Sequence, residues 1–368
     1  MTLSFRHEVL HLGLRDPFLI ARTDHGGGHA VTTVVIELRD DRFPEVVALG
    51  EGYPDRYYGE TVETIPVVLR VLIDAVGTFE PTAEGLRRAS DGIAGAIRWN
   101  GAAKCALDSA LHDLVGKVTG QPVHRLLGLS ADIPPTDFTL GLDEPAVVAE
   151  RAKRAGAFPA LKIKVGGPAD LATLEAVREV YDKPIRVDAN TGWTPETALQ
   201  LLPSLVDLGV ELIEQPFPAG RLDWLRDLQA GSRLPIVADE SCVTMDDLDA
   251  LVGVTAGVNI KLAKAGGPGP AARMLARARE LGFRTFLGCM EETSVAIAAS
   301  AAVASLAEWV DLDGNLLLAD EPFTGLELGP DHRWQLTDAP GLGVRRRSRA
   351  DVSSVSPGLA AGPRARCG

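Results

Sequence analysis

Residues 184–216 read PIRVDANTGWTPETALQLLPSLVDLGVELIEQP and contain one complete strand, loop, helix and strand unit. Two short runs rich in Ile, Val and Leu end near Asp188 and Glu214, and such runs are typical of buried strands of a parallel sheet. Between them, residues 195–209 have the apolar spacing of a helix and end in a glycine. The unit therefore indicates two parallel strands that each carry a carboxylate at the carboxyl end.

The same unit repeats from about residue 136 onwards. Helical runs such as AVVAERAKRAG and AARMLARARELG separate eight apolar runs that we predict to be strands: DFTLGL, ALKIKV, PIRVDAN, VELIEQP, LPIVADES, GVNIKLA, FRTFLGCM and WVDLDG. Eight units of this kind predict an α/β chain with a modified, TIM-like (β/α)8 barrel. An open doubly wound sheet is the alternative, but no Gly-rich dinucleotide fingerprint follows the first strand.

The first 122 residues are predicted to form an α+β capping domain. Residues 31–38 (VTTVVIEL) have strand composition, while residues 60–76 and 100–117 have helical spacing. The Gly-rich segment at about 15–30 is predicted to be a lid over the site. The full division is a capping domain (1–122), a barrel (123–323), a segment that packs back on the capping domain (324–343) and a disordered tail (344–368).

Composition excludes several classes of protein. The net charge of -13 argues against a nucleic-acid binder, and the 46% of hydrophobic residues allows a large core. No signal peptide is visible, and the longest small apolar stretch, residues 295–307, falls short of a membrane span. The four cysteines lack zinc or disulfide spacing. We expect a cytoplasmic homo-oligomer without membrane or nucleic-acid partners.

Charged residues end five consecutive strand candidates at intervals of 24, 26, 25 and 22 residues, namely Lys164, Asp188, Glu214, Asp239 and Lys261. One interval is one strand-helix unit, so these side chains share the mouth of the barrel, where active sites of this fold lie. A single strand-end Asp often caps a helix instead. Three clustered carboxylates, however, repel one another unless a cation lies between them. Oxygen ligands favour Mg²⁺, with Mn²⁺ as a possible substitute.

Five motifs resemble the muconate-lactonizing subgroup of the enolase superfamily, and within it the dipeptide epimerases. They are KIK at 162–164, DAN at 188–190, EQP at 214–216, DES at 239–241 and NIKL at 259–262. The resemblance covers nearly everything before the tail. It implies a metal-binding set of Asp188, Glu214 and Asp239 and a catalytic set of Lys164, Lys261 and Lys162, of which Lys162 would also bind substrate by supporting its carboxylate. It further implies the supporting residues Asn190, Glu240 and Lys264.

The resemblance also implies a substrate class. Asp311 and Asp313 lie two apart on the eighth strand, so both carboxylates face the same way, and in dipeptide epimerases this pair holds the free α-ammonium. Cys289 and Met290 would contact substrate, and Arg22 matches an arginine that binds a substrate glutamate in some relatives. The other residues of the lid differ from those relatives, which leaves the preferred side chains open.

Two lysines on opposite faces of an α-carbon predict inversion: one removes the proton beside the carboxylate and the other returns one. The alternatives are an o-succinylbenzoate synthase with N-acylamino acid racemase activity, a muconate-type cycloisomerase, or a barrel that binds a small molecule without catalysis. Glu291 and Glu292 are left without a role, since they could orient Lys261, contact substrate or form a rim salt bridge.

Overall fold

The computed structural model describes residues 3–22 and 28–348. The amino-terminal part contains an antiparallel sheet of β1 (Leu3–Gly13), β2 (Ala30–Asp40) and β3 (Ala48–Gly52), with β2 in the middle. The strand predicted at residues 31–38 is confirmed as the centre of β2. Its Val34, Ile36 and Leu38 are fully buried in one core cluster, and Val35, which points to the opposite face, is buried in the other. Because side chains alternate along a strand, the middle of β2 is therefore covered on both faces.

Three helices cover this sheet: α1 (Thr64–Val76), α2 (Ala83–Ala96) and α3 (Gly101–Thr119). Two glycines allow β3 to lie directly on α3. A Cβ atom on Gly50 would be 2.0 Å from the carbonyl oxygen of Ala106, and one on Gly52 would be 2.5 Å from that of Ala102. Because side chains alternate along a strand, Glu51 between these glycines points away from α3, toward the second domain.

The second domain contains all eight predicted strands, in parallel and in sequence order. Their bounds are β4 (Phe138–Leu140), β5 (Leu161–Lys164), β6 (Ile185–Asp188), β7 (Val210–Glu214), β8 (Ile236–Ala238), β9 (Gly257–Lys261), β10 (Arg284–Gly288) and β11 (Trp309–Val310). The sheet closes on itself, because Thr136 bridges to Val310 and the Asp137 amide donates to the Val310 carbonyl at 3.0 Å. The barrel prediction is confirmed, and the open-sheet alternative is wrong.

Helices connect the strands around the outside. They are α4 (Val123–Leu126), α5 (Pro145–Arg154), α6 (Asp170–Val180), α7 (Pro195–Asp207), α8 (Leu222–Gly231), α9 (Met245–Leu251), α10 (Leu262–Ala265), α11 (Pro268–Glu280) and α12 (Ser294–Ala301). Local sequence sets their starts: Thr194 caps α7 by accepting from the Thr197 amide at 3.2 Å. Within residues 3–22 and 28–348, no helix is both long and apolar enough to cross a bilayer.

The carboxyl-terminal segment returns to the first domain. The Leu342 amide donates to Asp113 of α3 at 2.8 Å, and a short antiparallel pair joins β12 (Phe323–Thr324) to β13 (Arg345–Arg346). The disordered tail was predicted from residue 344, which is too early, because Val344 is buried and residues 345–346 are paired. Residues 349–368 lie outside the described part of the chain.

Candidate active site

Three carboxylates meet at the carboxyl ends of adjacent barrel strands. Asp188 and Glu214 are the last residues of β6 and β7, and Asp239 directly follows β8. One oxygen from each lies within 4.8 Å of the others, and the residues are 0%, 0% and 1% exposed. Burying three like charges together is costly. The donors are all hard oxygens, so the residues fit a divalent cation such as Mg²⁺.

Neighbouring polar groups fix the direction of each carboxylate. The Asn190 amide N–H donates to Asp188 Oδ1 at 3.0 Å, and Asn259 Nδ2 donates to Glu214 Oε1 at 2.7 Å. Lys264 Nζ lies 2.5 Å from Asp239 Oδ1 and also donates to three backbone carbonyl oxygens. Each carboxylate is therefore oriented by at least one hydrogen-bond donor.

The turns that follow these strands are held in an uncommon conformation. Asn190 has φ of 41° and Gln215 has φ of 32°, in a region that residues other than glycine rarely adopt. The Gln215 side chain stabilises its turn by donating to the Phe217 carbonyl at 2.8 Å and accepting from the Asp239 amide at 2.9 Å. Strain of this kind commonly marks functional positions.

Lysines approach the triad from opposite walls. Lys164 ends β5 and Lys261 ends β9, four strands away in the eight-stranded barrel. Lys164 Nζ is 2.7 Å from Asp188 Oδ2, and Lys261 Nζ is 3.0 Å from Asp239 Oδ2. Both line a cavity of about 610 Å³ between the two domains. A small molecule in this cavity would have one lysine on each side.

Lys162 lies deeper, two residues before Lys164 on the same face of β5. Its Nζ is 2.8 Å from Glu214 Oε2, 2.9 Å from Asp311 Oδ2 and 3.1 Å from Asp188 Oδ2. It is 1% exposed, so these carboxylates stabilise its charge in place of water. Lys162 therefore connects the three carboxylates to Asp311 at the end of the eighth barrel strand.

Burial and neighbouring charge set the protonation of these groups. Burial opposes ionisation of Asp188, but Lys164 and Lys162 outweigh it and lower its pKa to about 2. Burial, followed by repulsion from Asp188, raises the pKa of Glu214 to about 7. Burial would lower the pKa of Lys261, yet Asp239 outweighs it and raises that pKa. Charge on the carboxylates therefore controls whether a lysine can become neutral.

Asp311 and Asp313 both face the cavity from the end of β11. Asp311 accepts from Thr139 Oγ1 at 3.0 Å, and Asp313 accepts from the Thr139 amide at 2.6 Å. Burial, then repulsion from Asp311, raises the pKa of Asp313. Trp334 supports the pair from behind through a 2.8 Å bond to the Leu312 carbonyl. The two carboxyls thus form one acidic wall of the cavity. A short turn follows directly after Asp313.

Arg22 lines the cavity and is also bound to other side chains of the protein. Its guanidinium forms an ion pair with the buried carboxylate of Glu240 and lies 4.2 Å from the centre of the Tyr57 ring. Asn190 Nδ2 donates to Glu240 Oε1 at 3.4 Å, which ties the group to the Asp188 turn. Residues 23–27 of the predicted lid lie outside the described residues.

Cys289, Met290 and Glu291 line the cavity. Glu291 accepts from the Tyr53 hydroxyl at 2.9 Å, and it forms no salt bridge with any of the residues that the structure describes. Glu292 is 2% exposed and turns back to accept from the Met290 amide at 3.0 Å.

Several supporting residues were not predicted: Thr139, Gln215, Asn259, Trp334 and Glu51. Only Asn259 and Gln215 stood in motifs that the sequence singled out. Glu51 accepts from the Thr293 amide at 3.0 Å and the Ala296 amide at 3.2 Å, at the start of α12. It therefore joins the capping domain to the loop that carries Cys289 and Met290.

Comparison with known proteins agrees with this geometry. Residues 14–128 match the model of the mandelate racemase / muconate lactonizing enzyme N-terminal domain, and residues 146–350 match the enolase C-terminal domain-like model. The L-Ala-D/L-Glu epimerase of Bacteroides thetaiotaomicron is 39% identical over 304 residues, covering 82% of this chain and 78% of that protein. The L-Lys-D/L-Arg epimerase of Methylococcus capsulatus is 35% identical over 349 residues, covering 91% and 96%.

Solved structures lead to the same group of proteins. The dipeptide epimerase from Enterococcus faecalis V583, complexed with Mg and the dipeptide L-Leu-L-Tyr, superposes with a TM-score of 0.85 at 31% identity, over 94% of this chain and 99% of that one. The dipeptide epimerase from Methylococcus capsulatus, complexed with Mg and the dipeptide L-Arg-D-Lys, superposes with a TM-score of 0.83 at 33% identity. The superposition covers 94% of this chain and 99% of that one.

Proposed function

Because the chain belongs to the mandelate racemase and muconate lactonizing enzyme family of the enolase superfamily, we propose that it is a Mg²⁺-dependent dipeptide epimerase. The reaction inverts the α-carbon of the carboxyl-terminal residue. The observation that carries this proposal is the placement of Lys164 and Lys261 on opposite walls of one cavity, each beside a carboxylate of the triad.

The chemistry follows from that placement. One lysine, in its neutral form, takes the proton from the α-carbon, and the C–H electron pair passes into the carboxylate as an enediolate. The opposite lysine, already protonated, returns a proton to the other face, so one proton is removed and one is added. A divalent cation on Asp188, Glu214 and Asp239 would supply the positive charge that stabilises the enediolate.

A lysine base must lose its proton before it acts. The carboxylates raise the pKa of Lys162 and Lys261 despite burial, which keeps these ammonium groups charged. Neutralising the triad would remove much of that attraction, and burial would then favour the neutral amine.

The acidic wall of Asp311 and Asp313 supports a substrate with a free α-ammonium. Among the described residues these two buried carboxyls share one ion pair, from Lys162 to Asp311, so they are suited to receive a second cation. Substrates of an N-acylamino acid racemase, an o-succinylbenzoate synthase or a muconate-type cycloisomerase lack that ammonium. A barrel that only binds ligands would not need opposed lysines.

The test is proton exchange in deuterated water. The full-length protein with Mg²⁺ should add one mass unit to members of a library of L,L-dipeptides, and chelation of the metal should abolish the gain. Mass spectrometry of the pool and chiral analysis of the products measure both exchange and inversion. A folded protein that binds Mg²⁺ but labels no dipeptide would contradict the proposal. Labelling of N-acylamino acids alone would favour the racemase alternative.

Replacing Asp313 by Asn should lower kcat/KM for dipeptides about 10- to 100-fold, because a charge-assisted bond to the ammonium is lost. Asn retains the acceptor oxygen for the Thr139 amide, so the fold is preserved. The matched comparison is the same dipeptide with an acetylated amino group, which carries no charge. Equal losses on both substrates would show that Asp313 acts on the fold and not on the ammonium.

A further inference from the structure

The loop after β10 presents one carboxylate to the cavity in a fixed position. Glu291 lines the cavity, whereas the next residue, Glu292, is buried behind it. The loop is held from within by the Glu292 amide, which donates to the Met290 carbonyl at 2.9 Å. From outside, Glu51 accepts hydrogen bonds from Thr293. A carboxylate on so constrained a loop has a defined place in the site.

The Glu291 carboxylate has a hydrogen-bond donor but no counter-charge. Tyr53 donates to Oε2 at 2.9 Å, and burial, followed by the charge of Glu291, raises the pKa of that phenol, so it stays a neutral donor. Within residues 3–22 and 28–348, no basic side chain forms an ion pair with Glu291. A cation in the cavity would therefore find an oriented carboxylate without having to displace a charged protein side chain.

The other charged side chains on the outer wall reinforce this preference. Asp55 and Glu63 line the same cavity from the capping domain. Two bases lie nearby. Arg22 pairs with Glu240, and Arg56, which follows Asp55 in the lining of the cavity, is exposed to solvent. The outer cavity is therefore acidic in balance.

The position of Glu291 relative to Asp311 and Asp313 indicates which part of a dipeptide it faces. β10 pairs directly with β11, with Leu287 opposite Val310. A Cβ atom on Gly314, next to Asp313, would lie 2.2 Å from the Met290 carbonyl oxygen. The β10 loop and the acidic wall thus touch, and Glu291 lies on the side of the cavity that would hold the amino-terminal residue.

We propose that the preferred substrates are dipeptides whose amino-terminal residue has a cationic side chain, bound by Glu291 with the help of Tyr53. This inference rests on the proposed epimerase function and refines its substrate class. The chemistry requires a lysine-like or arginine-like side chain that reaches from the α-ammonium site to the β10 loop. A glutamate side chain at the same position would be repelled.

The experiment compares kcat/KM for epimerisation of L-Lys-L-Ala, L-Leu-L-Ala and L-Glu-L-Ala. We expect L-Lys-L-Ala to be preferred, and Glu291→Gln to reduce its kcat/KM about 10- to 100-fold while leaving L-Leu-L-Ala nearly unchanged. Retained activity on L-Leu-L-Ala shows that the variant is folded. Glu280→Gln, on the exposed surface of α11, is the matched control and should change none of the three values.

Charge reversal gives a second readout. Glu291→Lys should move the preference from L-Lys-L-Ala toward L-Glu-L-Ala. Equal or better turnover of L-Leu-L-Ala than L-Lys-L-Ala by the unmodified enzyme, or parallel losses on both in Glu291→Gln, would overturn the inference while leaving the epimerase intact. Absence of exchange with every dipeptide would overturn the epimerase proposal and this inference with it.

Discussion

Replacing Lys164 or Lys261 by Ala is expected to abolish epimerisation while leaving each variant able to exchange the α-proton of one stereoisomer. The two amines lie on opposite walls, so each serves one face of the substrate carbon. With one lysine removed, the other still abstracts a proton, exchanges it with solvent and returns deuterium to the same face. Loss of one acid-base group lowers the affected rate about 10²- to 10⁴-fold.

The measurement is deuterium incorporation with separate L,L- and L,D-dipeptides. We expect Lys164→Ala to label one of them and Lys261→Ala to label the other, each without inversion. The control variant is Lys153→Ala, in which an exposed lysine on α5 is removed. It should retain full activity, which excludes an effect of expression or of removing any lysine. If both variants label the same stereoisomer, or if either still inverts its substrate at the original rate, the two-lysine mechanism is wrong.

Replacing Asp239 by Asn should remove Mg²⁺ binding and with it all exchange. The variant keeps the shape of the side chain but removes its negative charge. In the unmodified protein, Lys261 Nζ lies 3.0 Å from Asp239 Oδ2 and Lys264 Nζ lies 2.5 Å from Asp239 Oδ1. Burial opposes ionisation of Asp239, but these two lysines hold its pKa well below the usual range, so the native group is ionised at neutral pH. Two buried ammonium groups would lose their principal partner, which also lowers stability.

Thermal unfolding with and without Mg²⁺ separates these effects. The unmodified protein should gain melting temperature as Mg²⁺ is added, because a ligand that binds only the folded state stabilises it. Asp239→Asn should melt at a lower temperature, and added Mg²⁺ should not raise that temperature. The control Asp249→Asn, an exposed substitution on α9, should show the full Mg²⁺-dependent rise in melting temperature. A Mg²⁺-dependent gain of the original size in Asp239→Asn would place the metal elsewhere.

The sequence predicted the barrel and its strand-end charges because both depend on local patterns. Each strand is a short apolar run, and the regular interval between charged ends follows from the length of one strand-helix unit. The long strand β1 was missed because most of its residues are at least partly exposed and polar residues interrupt it. Such a strand is defined by its pairing with β2 and not by its own composition.

Contacts between distant parts of the chain were not predictable in the same way. Lys162 was expected to support a substrate carboxylate, yet it also pairs with Asp311, 149 positions away. Arg22 was considered as a receptor for a substrate glutamate, and its pairing with Glu240 crosses the domain boundary. The first contact depends on closure of the barrel and the second on how the capping domain sits on it, and no periodicity in the sequence encodes either.

The contact of Glu51 with the start of α12 couples the unfolding of the capping domain to that of the barrel. The first amides of a helix lack partners within the helix, and here a carboxylate from the other domain satisfies them. Opening the interface would leave those amides and the buried carboxylate without each other. The capping domain and the barrel should therefore melt in one cooperative transition, and a chain that acquired a different first domain would have to replace this bond.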